Sequence, residues 1–353
     1  IEPLPKTSND RTWCFWTETP TAYENILFRT WKNLSFIGPR FQKNYSLQRY
    51  RYQMLRSKDF YQFVRQAISR HPYFHQLQAS VTHIEAFEDH VNVWVGEQVY
   101  RGNYVFDSRL DIEQLRQQIK RHTLLFQHFK GWFVRTPREV FDENTIQLFD
   151  FTIPQENEVR FMYVLPFSST EALVEFTIFS ENVLSDDQYD QVLRKYMTQR
   201  FDLTDYQILE EEKGIIPMSD FPFPKHQGER WHFVGTKGGM CKPSTGYAFL
   251  RMQRDSQRIV EALVQRRNIS AARKSPWHYR YMDALMLDIM KTDGGKVCTI
   301  FEVLFRKNGA ERMLQFLDEQ TTCWQDLKIM ASVPPMPFLK AILNVLKKRF
   351  GRS

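Results

Sequence analysis

A glycine-rich loop that runs straight into an apolar-periodic segment constrains this chain more than any other feature. Residues 235–249 read GTKGGMCKPSTGYAF, and Phe249, Met252, Ile259 and Leu263 then recur at helical spacing. Glycine lets backbone N–H groups approach a ligand with no Cβ in the way. Pro243, Ser244 and Thr245 sit where the helix is expected to start, with proline in the first turn and hydroxyls as caps. A helix N-terminus with unpaired N–H donors suits an anionic or polarisable ligand. On local composition alone, the same run also reads as an ordinary turn before a surface helix.

Residues 160–180, RFMYVLPFSSTEALVEFTIFS, read as two strands joined by a short turn at 168–171. At strand period, Ala172, Val174, Phe176 and Ile178 share one face, while Leu173, Glu175 and Thr177 share the other. Glu175 therefore stands among aliphatic and aromatic neighbours. If its face lines an apolar cavity, desolvation raises its pKa and makes it a proton donor near neutral pH. Periodicity alone leaves a second reading open, a glutamate on the wet face of a half-buried strand.

The chain has 353 residues, enough for one large or two medium domains. Aromatic residues make up 15%, with 29 Phe, 15 Tyr and 8 Trp, which suits dense packing or a π-lined apolar cavity. The formal charge is +7, but the basic residues are dispersed and no nucleic-acid-binding module is visible, so no nucleic-acid partner is expected. Cys14, Cys241, Cys298 and Cys323 have no metal or redox spacing and fit a reducing cytosol. His71 and His75 are four apart, but Pro72 between them and the want of a third ligand argue against a metal, and none is expected. No apolar run is long enough to span a bilayer, and no signal peptide is visible. Residues 335–350, PMPFLKAILNVLKKRF, carry a broad apolar stripe beside Lys340, Lys347, Lys348 and Arg349. That pattern fits either a helix packed on the domain or a basic amphipathic helix lying in an anionic membrane surface. In the interfacial case, removing residues 334–353 is expected to weaken membrane binding and leave the fold intact.

YVLPFSSTEALVEFT and GTKGGMCKPSTGYAF together resemble the flavin-dependent lycopene cyclases of carotenoid-making bacteria. NDRTWCFW at 9–16, QHFKGWFV at 127–134, IQLFDFTIPQ at 146–155 and EEKGIIPM at 211–218 fit the same family. The resemblance implies an α/β (α+β) fold: an FAD/NAD(P)-binding, Rossmann-like flavoprotein with an inserted mixed β-sheet domain and C-terminal helices. It also implies residues 1–80, 101–126 and 205–275 as a discontinuous FAD-binding domain. Residues 81–100 and 127–204 are then the substrate-binding sheet, and 276–353 a helical region. Flavoproteins of this class open with a strand, a G-x-G-x-x-G turn, a helix and a second strand ending in an acid that takes the ribose hydroxyls. No G-x-G-x-x-G occurs here, and Ile1-Glu2 looks like the end of that second strand, with Glu2 as the ribose acid. An N-terminally truncated chain that holds flavin poorly is therefore expected. The further cofactor residues expected are Arg11, Thr12, Asp107, Gly235, Thr236, Gly239, Pro243, Thr245 and Gly246. Thr236 stands where relatives carry aspartate.

The implied function is lycopene beta-cyclase, a non-redox intramolecular lyase or isomerase of carotenoid biosynthesis, with FAD as cofactor and NAD(P)H as reductant. The polyene substrate, lycopene, implies a cytoplasmic protein peripheral on the inner face of the cell membrane. Glu175 matches the family's essential carboxylate. Many relatives carry a second acid directly after it, where this chain has Phe176, and Asp150 is the candidate for the second proton-handling group. A flavin-dependent monooxygenase or prenyl reductase, or a non-catalytic carotenoid-binding protein, are the alternatives.

Overall fold

Strand Glu171–Ser180 alternates as its sequence requires. Ala172, Val174, Phe176 and Ile178 enter one apolar cluster, and Leu173 and Phe179 enter another. Every residue from Ala172 to Ser180 is buried, because the sheet that carries this strand is covered on both faces. The computed structural model describes residues 1–270 and 276–350. In it the sheet has seven strands, in the order Gln207–Ser219, Leu124–Arg135, Glu171–Ser180, Val159–Pro166, Thr145–Asp150, Asn33–Ile37 and Gln42–Ser46. Neighbouring strands are antiparallel except for the pair Thr145–Asp150 and Asn33–Ile37. Tyr189, Leu193, Tyr196 and Met197 of helix Asp186–Phe201 pack on the Val174 face. Leu285 and Ile289 of helix Trp277–Asp293, with Phe301 and Phe305 of helix Val297–Asn308, pack with Leu173 and Phe179.

Three smaller sheets surround this one. Strands Thr12–Thr17, Arg51–Arg56 and Arg29–Trp31 pair antiparallel, and Val105–Asp107 runs parallel to Trp231–Phe233. Strands His83–Ala86, Val91–Val95 and Gln98–Gly102 form a separate meander over a small cluster of Ile84, Val91 and Val93. The sheets do not follow the expected domain limits strand for strand. Residues 81–100 do not join the large sheet, while strands from 1–80 and 205–275 complete it at both edges. Strand pairing is non-local, so local pattern places a strand but not its partner. The expected boundary at 275/276 and the end of the chain at 351–353 touch residues outside the described ones.

Helix Ser57–Ser69 begins with Ser57, and Arg56 occupies the cap position. Ser57 Oγ accepts the backbone N–H of Arg11 at 3.1 Å. The stretch 279–327 holds four α-helices or parts of them. Gly309, with φ at 74°, ends one and opens the next. The last helix, Pro335–Phe350, divides into a packed face and an exposed one. Phe338, Ala341 and Val345 are buried in the main core, while Met336, Leu339, Leu343, Leu346 and Phe350 are exposed. Asn344 and Lys348 hold it through buried Asp288, at 2.8 and 2.7 Å, and Arg349 pairs with Asp220 at 3.0 Å. Among the described residues no single helix is long and apolar enough to cross a membrane. Helices Cys323–Ser332 and Pro335–Phe350 reach that length only as a pair bent by 110°.

Candidate active site

Gly131 lies opposite Glu175 on one neighbouring strand and opposite Glu212 on the other. Residues directly opposite in an antiparallel pair share a face, so both glutamates project to the same side of the sheet. Their backbones are two strand spacings apart, roughly 9.6 Å. The missing side chain of Gly131 leaves that gap to the two carboxyl stems. A Cβ at Gly131 would lie 2.8 Å from Leu173 Cδ1 and 3.3 Å from both Glu175 Cβ and Glu212 Cγ. The two carboxyl groups hydrogen-bond each other. Each also takes one hydroxyl proton donor: Thr177 Oγ1 donates to Glu175 Oε1 at 2.6 Å, and Thr12 Oγ1 to Glu212 Oε2 at 2.5 Å.

Burial pushes the Glu175 carboxyl well above the usual carboxylate range, and the negative charge of Glu212 adds to the effect. Burial raises Glu212 as well, while its bonds from Thr12 and Glu175 pull it back. Burial of both groups therefore disfavours ionising the two carboxyls together. Around the pair stand Cys14, Tyr52, Tyr163 and Tyr247. The hydroxyls of Tyr52 and Tyr163 are 2.6 Å apart, and Trp16 meets Tyr247 edge-on at 4.7 Å. Burial pushes the Cys14 thiol and all three tyrosines upward, so these groups are neutral near pH 7. A slot of about 20 Å³ runs between Cys14, Trp16, Tyr247 and Arg251.

The glycine-rich loop lies on this side of the sheet, but its helix begins later than expected. Helix Phe249–Val264 starts four residues after Thr245, and Pro243, Ser244 and Thr245 form a tight turn instead. The N–H groups of Thr245 and Gly246 both donate to Lys242 O, so the turn satisfies locally what a helix would have used. Gly235, Gly239 and Gly246 have φ of 59°, 70° and 73°, where side chains are strained. A Cβ at Gly246 would sit 1.6 Å from Gln127 Oε1. That Gln127 oxygen and Thr245 Oγ1 are buried, and neither has a hydrogen-bond partner among the described residues. Unpaired buried oxygens beside a backbone with no Cβ fit a polar edge of a bound cofactor. Thr236 O and Gly235 O accept from the N–H groups of Gly239 and Met240, closing the loop on itself. Lys242 anchors it, with its ammonium 3.0 Å from Asp283 and 3.1 Å from Glu319.

The other expected cofactor residues are spread out. Glu2 makes a parallel bridge to Gln78 through backbone bonds with Leu77 and Ala79, and its carboxylate is 3.7 Å from Lys6. Arg11 is exposed and 3.9 Å from Asp10, while Thr12 serves Glu212. Asp107 is buried and bound by Arg109 at 2.8 Å and Lys237 at 2.5 Å. Despite burial, those bonds hold it down to about 2.

Asp150 stands apart from Glu175. It pairs in register with Met162, which is aligned with Phe176 on the next strand, so it faces the opposite side of the sheet. There it is fully buried, accepting from Tyr196 at 2.7 Å and from the Thr152 hydroxyl at 2.6 Å, with Arg200 at 3.8 Å. A cavity of about 260 Å³ on that side is lined by Ser35, Phe141, Gln147 and Arg200 and contains no carboxyl pair. The acid that the fold brings to Glu175 is Glu212. In sequence it hides in the run Glu210-Glu211-Glu212, which reads as a solvated charge cluster. The strand splits that run: Glu210 pairs with Arg56, Glu211 with Lys130 at 3.2 Å, and Glu212 turns inward.

A family model described as Lycopene cyclase protein matches residues 1–343. The chain is 26% identical to the lycopene beta-cyclase of Pantoea ananas over 211 residues, 56% of this chain and 54% of that protein. The match thus spans about half the length of that relative. Three solved structures share the fold. One is a geranylgeranyl bacteriochlorophyll reductase-like protein of Thermoplasma acidophilum (TM-score 0.55, 12% identity, 92% of this chain and 85% of that one). The second is the flavin-dependent brominase Bmp2 (TM-score 0.56, 13% identity, 92% and 84%). The third is HpxO of Klebsiella pneumoniae, complexed with FAD and uric acid (TM-score 0.55, 14% identity, 82% and 80%). At such identities the likeness is one of architecture, an α/β flavoprotein fold. With nearly its whole length matched by the family model, the chain is a member of the lycopene cyclase family.

Proposed function

We propose that this protein is a lycopene beta-cyclase, closing the acyclic ends of lycopene into β-rings by proton-initiated cyclisation. The observation that carries this reading is the buried carboxyl of Glu175, paired with Glu212 and set beside Cys14, Tyr163 and Tyr247 with burial pushing it toward the protonated form. Glu175 transfers its proton to a carbon of the terminal double bond, whose electron pair forms the new C–H bond. The tertiary cation left behind takes the electron pair of the next double bond, and a six-membered ring closes. Loss of a ring proton gives the cyclic alkene, with no net electron transfer. The rings of Trp16, Tyr52, Tyr163 and Tyr247 line this side with aromatic surface, which favours a cation and excludes the water that would trap it. The small slot beside Cys14 admits a polyene end only when the side chains around it move apart.

FAD is the proposed cofactor, with NAD(P)H as its reductant. Gln127, Thr245 and Gly246 are the residues placed to meet its polar edge, and Lys242 fixes their loop. Reduced flavin supplies negative charge that favours a nearby cation. A redox enzyme on this fold would have no use for a protonated carboxyl at this position. We further propose that the protein works as a cytoplasmic peripheral protein at the inner face of the cell membrane. The exposed row Met336, Leu339, Leu343, Leu346 and Phe350 then meets an anionic lipid surface, with exposed Lys340 and Lys347 beside it.

The test is Glu175→Gln in the full-length protein, with carotenoids followed by chromatography and flavin by absorbance. Cyclisation is expected to fall ~10²–10⁴-fold, as for a positioned acid, with flavin binding and its reduction by nicotinamide unchanged. Near-normal cyclisation would remove Glu175 from the chemistry. Loss of flavin together with activity would make Glu175 a structural group.

A further inference from the structure

We propose that Glu212 is the positioning residue for the reacting proton: the two carboxyls share one proton, Glu212 keeps it on Glu175, and it opposes a second negative charge once that proton has left. The proposal rests on the cyclase reading of Glu175. Geometry carries it. Register places both glutamates opposite Gly131 on one face, and the bare glycine lets their carboxyls meet. The groups facing the pair can be named from every side. Glu175 faces Thr177, Glu212, Cys14, Tyr163 and Tyr247, with the Tyr52 hydroxyl bonded to that of Tyr163. Glu212 faces Thr12, Glu175, Glu210, Arg56 and Cys14. Arg56 is the one cation in that set, and Glu210 pairs with its guanidinium. The threonines donate one hydroxyl to each carboxyl and carry no charge. Two buried carboxyls without a cation of their own resist double ionisation, so a single proton is retained.

The proton count closes over one turnover. The pair begins with one proton, on Glu175. That proton moves to the polyene and leaves two carboxylates beside a carbocation, an arrangement that stabilises the cation by simple attraction. Repulsion between the carboxylates makes the pair a stronger base than either would be alone. The proton released from the closed ring therefore returns to the pair, and the site is reset without an external acid or base. This accounts for a chain that has Phe176 where a second acid was sought: the second acid comes from the strand on the far side of Gly131.

The test compares wild type, Glu175→Gln and Glu212→Gln in the full-length protein, by infrared titration of the protonated carboxyl band and by the pH profile of cyclisation. Wild type is expected to show the band near pH 7, and Glu175→Gln to lack it. In Glu212→Gln the carboxyl of Glu175 loses its charged neighbour and gains an amide donor. Its band should therefore vanish at a pH lower by about one unit or more. The alkaline limb of the pH profile should move with it, and cyclisation at pH 7 should fall ~10-fold or more. Glu212→Asp, which keeps the charge but withdraws it, should move both readouts less and in the same direction, and it serves if the Gln variant does not fold. An unmoved band and an unmoved limb in either variant would overturn the proposal. If the band moves as expected but wild type closes no rings, the cyclase reading fails and the pair's role in ring closure falls with it.

Discussion

Thr12 Oγ1 donates to Glu212 Oε2 at 2.5 Å, a bond between residues 200 apart in sequence. It ties the strand Thr12–Thr17 to the edge strand Gln207–Ser219 of the large sheet. Strand Thr12–Thr17 also packs on the helix after the glycine-rich loop, where the Phe15 and Phe249 rings stack at 4.7 Å. The acid pair and the proposed flavin-side loop are thus braced through one short strand. Thr12→Val keeps the shape and removes the donor. A hydrogen bond to a charged group contributes about 1.5–3 kcal/mol, and a loss of that order is expected in urea unfolding, with Thr12→Ser restoring it. Equal stability of the Val variant would mean that the bond contributes nothing.

Gly246 offers a test of the loop that does not depend on turnover. At a φ of 73°, with Gln127 Oε1 only 1.6 Å from where a Cβ would sit, alanine both strains the backbone and displaces Gln127. The left-handed conformation alone costs a residue with a Cβ about 1–2 kcal/mol. Gly246→Ala is expected to weaken flavin affinity in the full-length protein by ~10-fold or more, read by quenching of flavin fluorescence. Unchanged affinity would place the flavin away from Gly246 and Gln127.

The sequence carried some of this site openly and hid the rest. Two-residue alternation was enough to put Glu175 and Phe176 on opposite faces of one strand, because that rule is local. Asp150 was the candidate for the second proton-handling group because it lies in a segment that fits the family. Only strand order and register show that it points away from Glu175, toward Tyr196 and Arg200. Glu212 was concealed for the converse reason, since its neighbours Glu210 and Glu211 made it look solvated. A cue did exist in Gly131, an isolated glycine within a 12-residue strand, where a close approach is the usual cause. The turn at Pro243 to Thr245 imitated a helix start because caps and turns draw on the same residues.

His128 gives a pH signature of the fold rather than of the chemistry. It is fully buried between Tyr189, 2.5 Å from Nδ1, and Ser180, 2.8 Å from Nε2. Burial pulls it down to about 4, with the charges of Arg160 and Lys213 acting in the same sense. The native state therefore holds a neutral imidazole where the unfolded chain titrates near 6.5. Protons bind the unfolded state more tightly, so this contribution to stability is present above pH 6.5 and declines as pH falls toward about 4. Urea midpoints measured from pH 7.5 to 4.5 should fall, and His128→Gln should flatten that slope. An equal slope in the variant would assign the acid sensitivity to other groups.

The C-terminal helix calls for point changes, because cutting it away would confuse two effects. Deleting residues 334–353 would strip Phe338, Ala341 and Val345 from the core and leave Asp288 buried without Lys348 and Asn344. A buried carboxylate that loses its partners is left uncompensated, so the shortened chain is expected to unfold more easily whatever it binds. The exposed row offers a cleaner test. Leu339 and Leu343 are 52% and 69% exposed and lie on the face away from Asp288. Changing both to Glu leaves the packed face untouched and places two negative charges against anionic lipid. Co-sedimentation with vesicles containing anionic lipid should drop ~10-fold or more, while urea midpoints and flavin binding stay near wild type. Lys340→Gln with Lys347→Gln should weaken binding less, and only at low salt, where exposed charges act. Equal sedimentation of the double Glu variant would mean that this face does not meet the membrane, and the exposed row would need another partner.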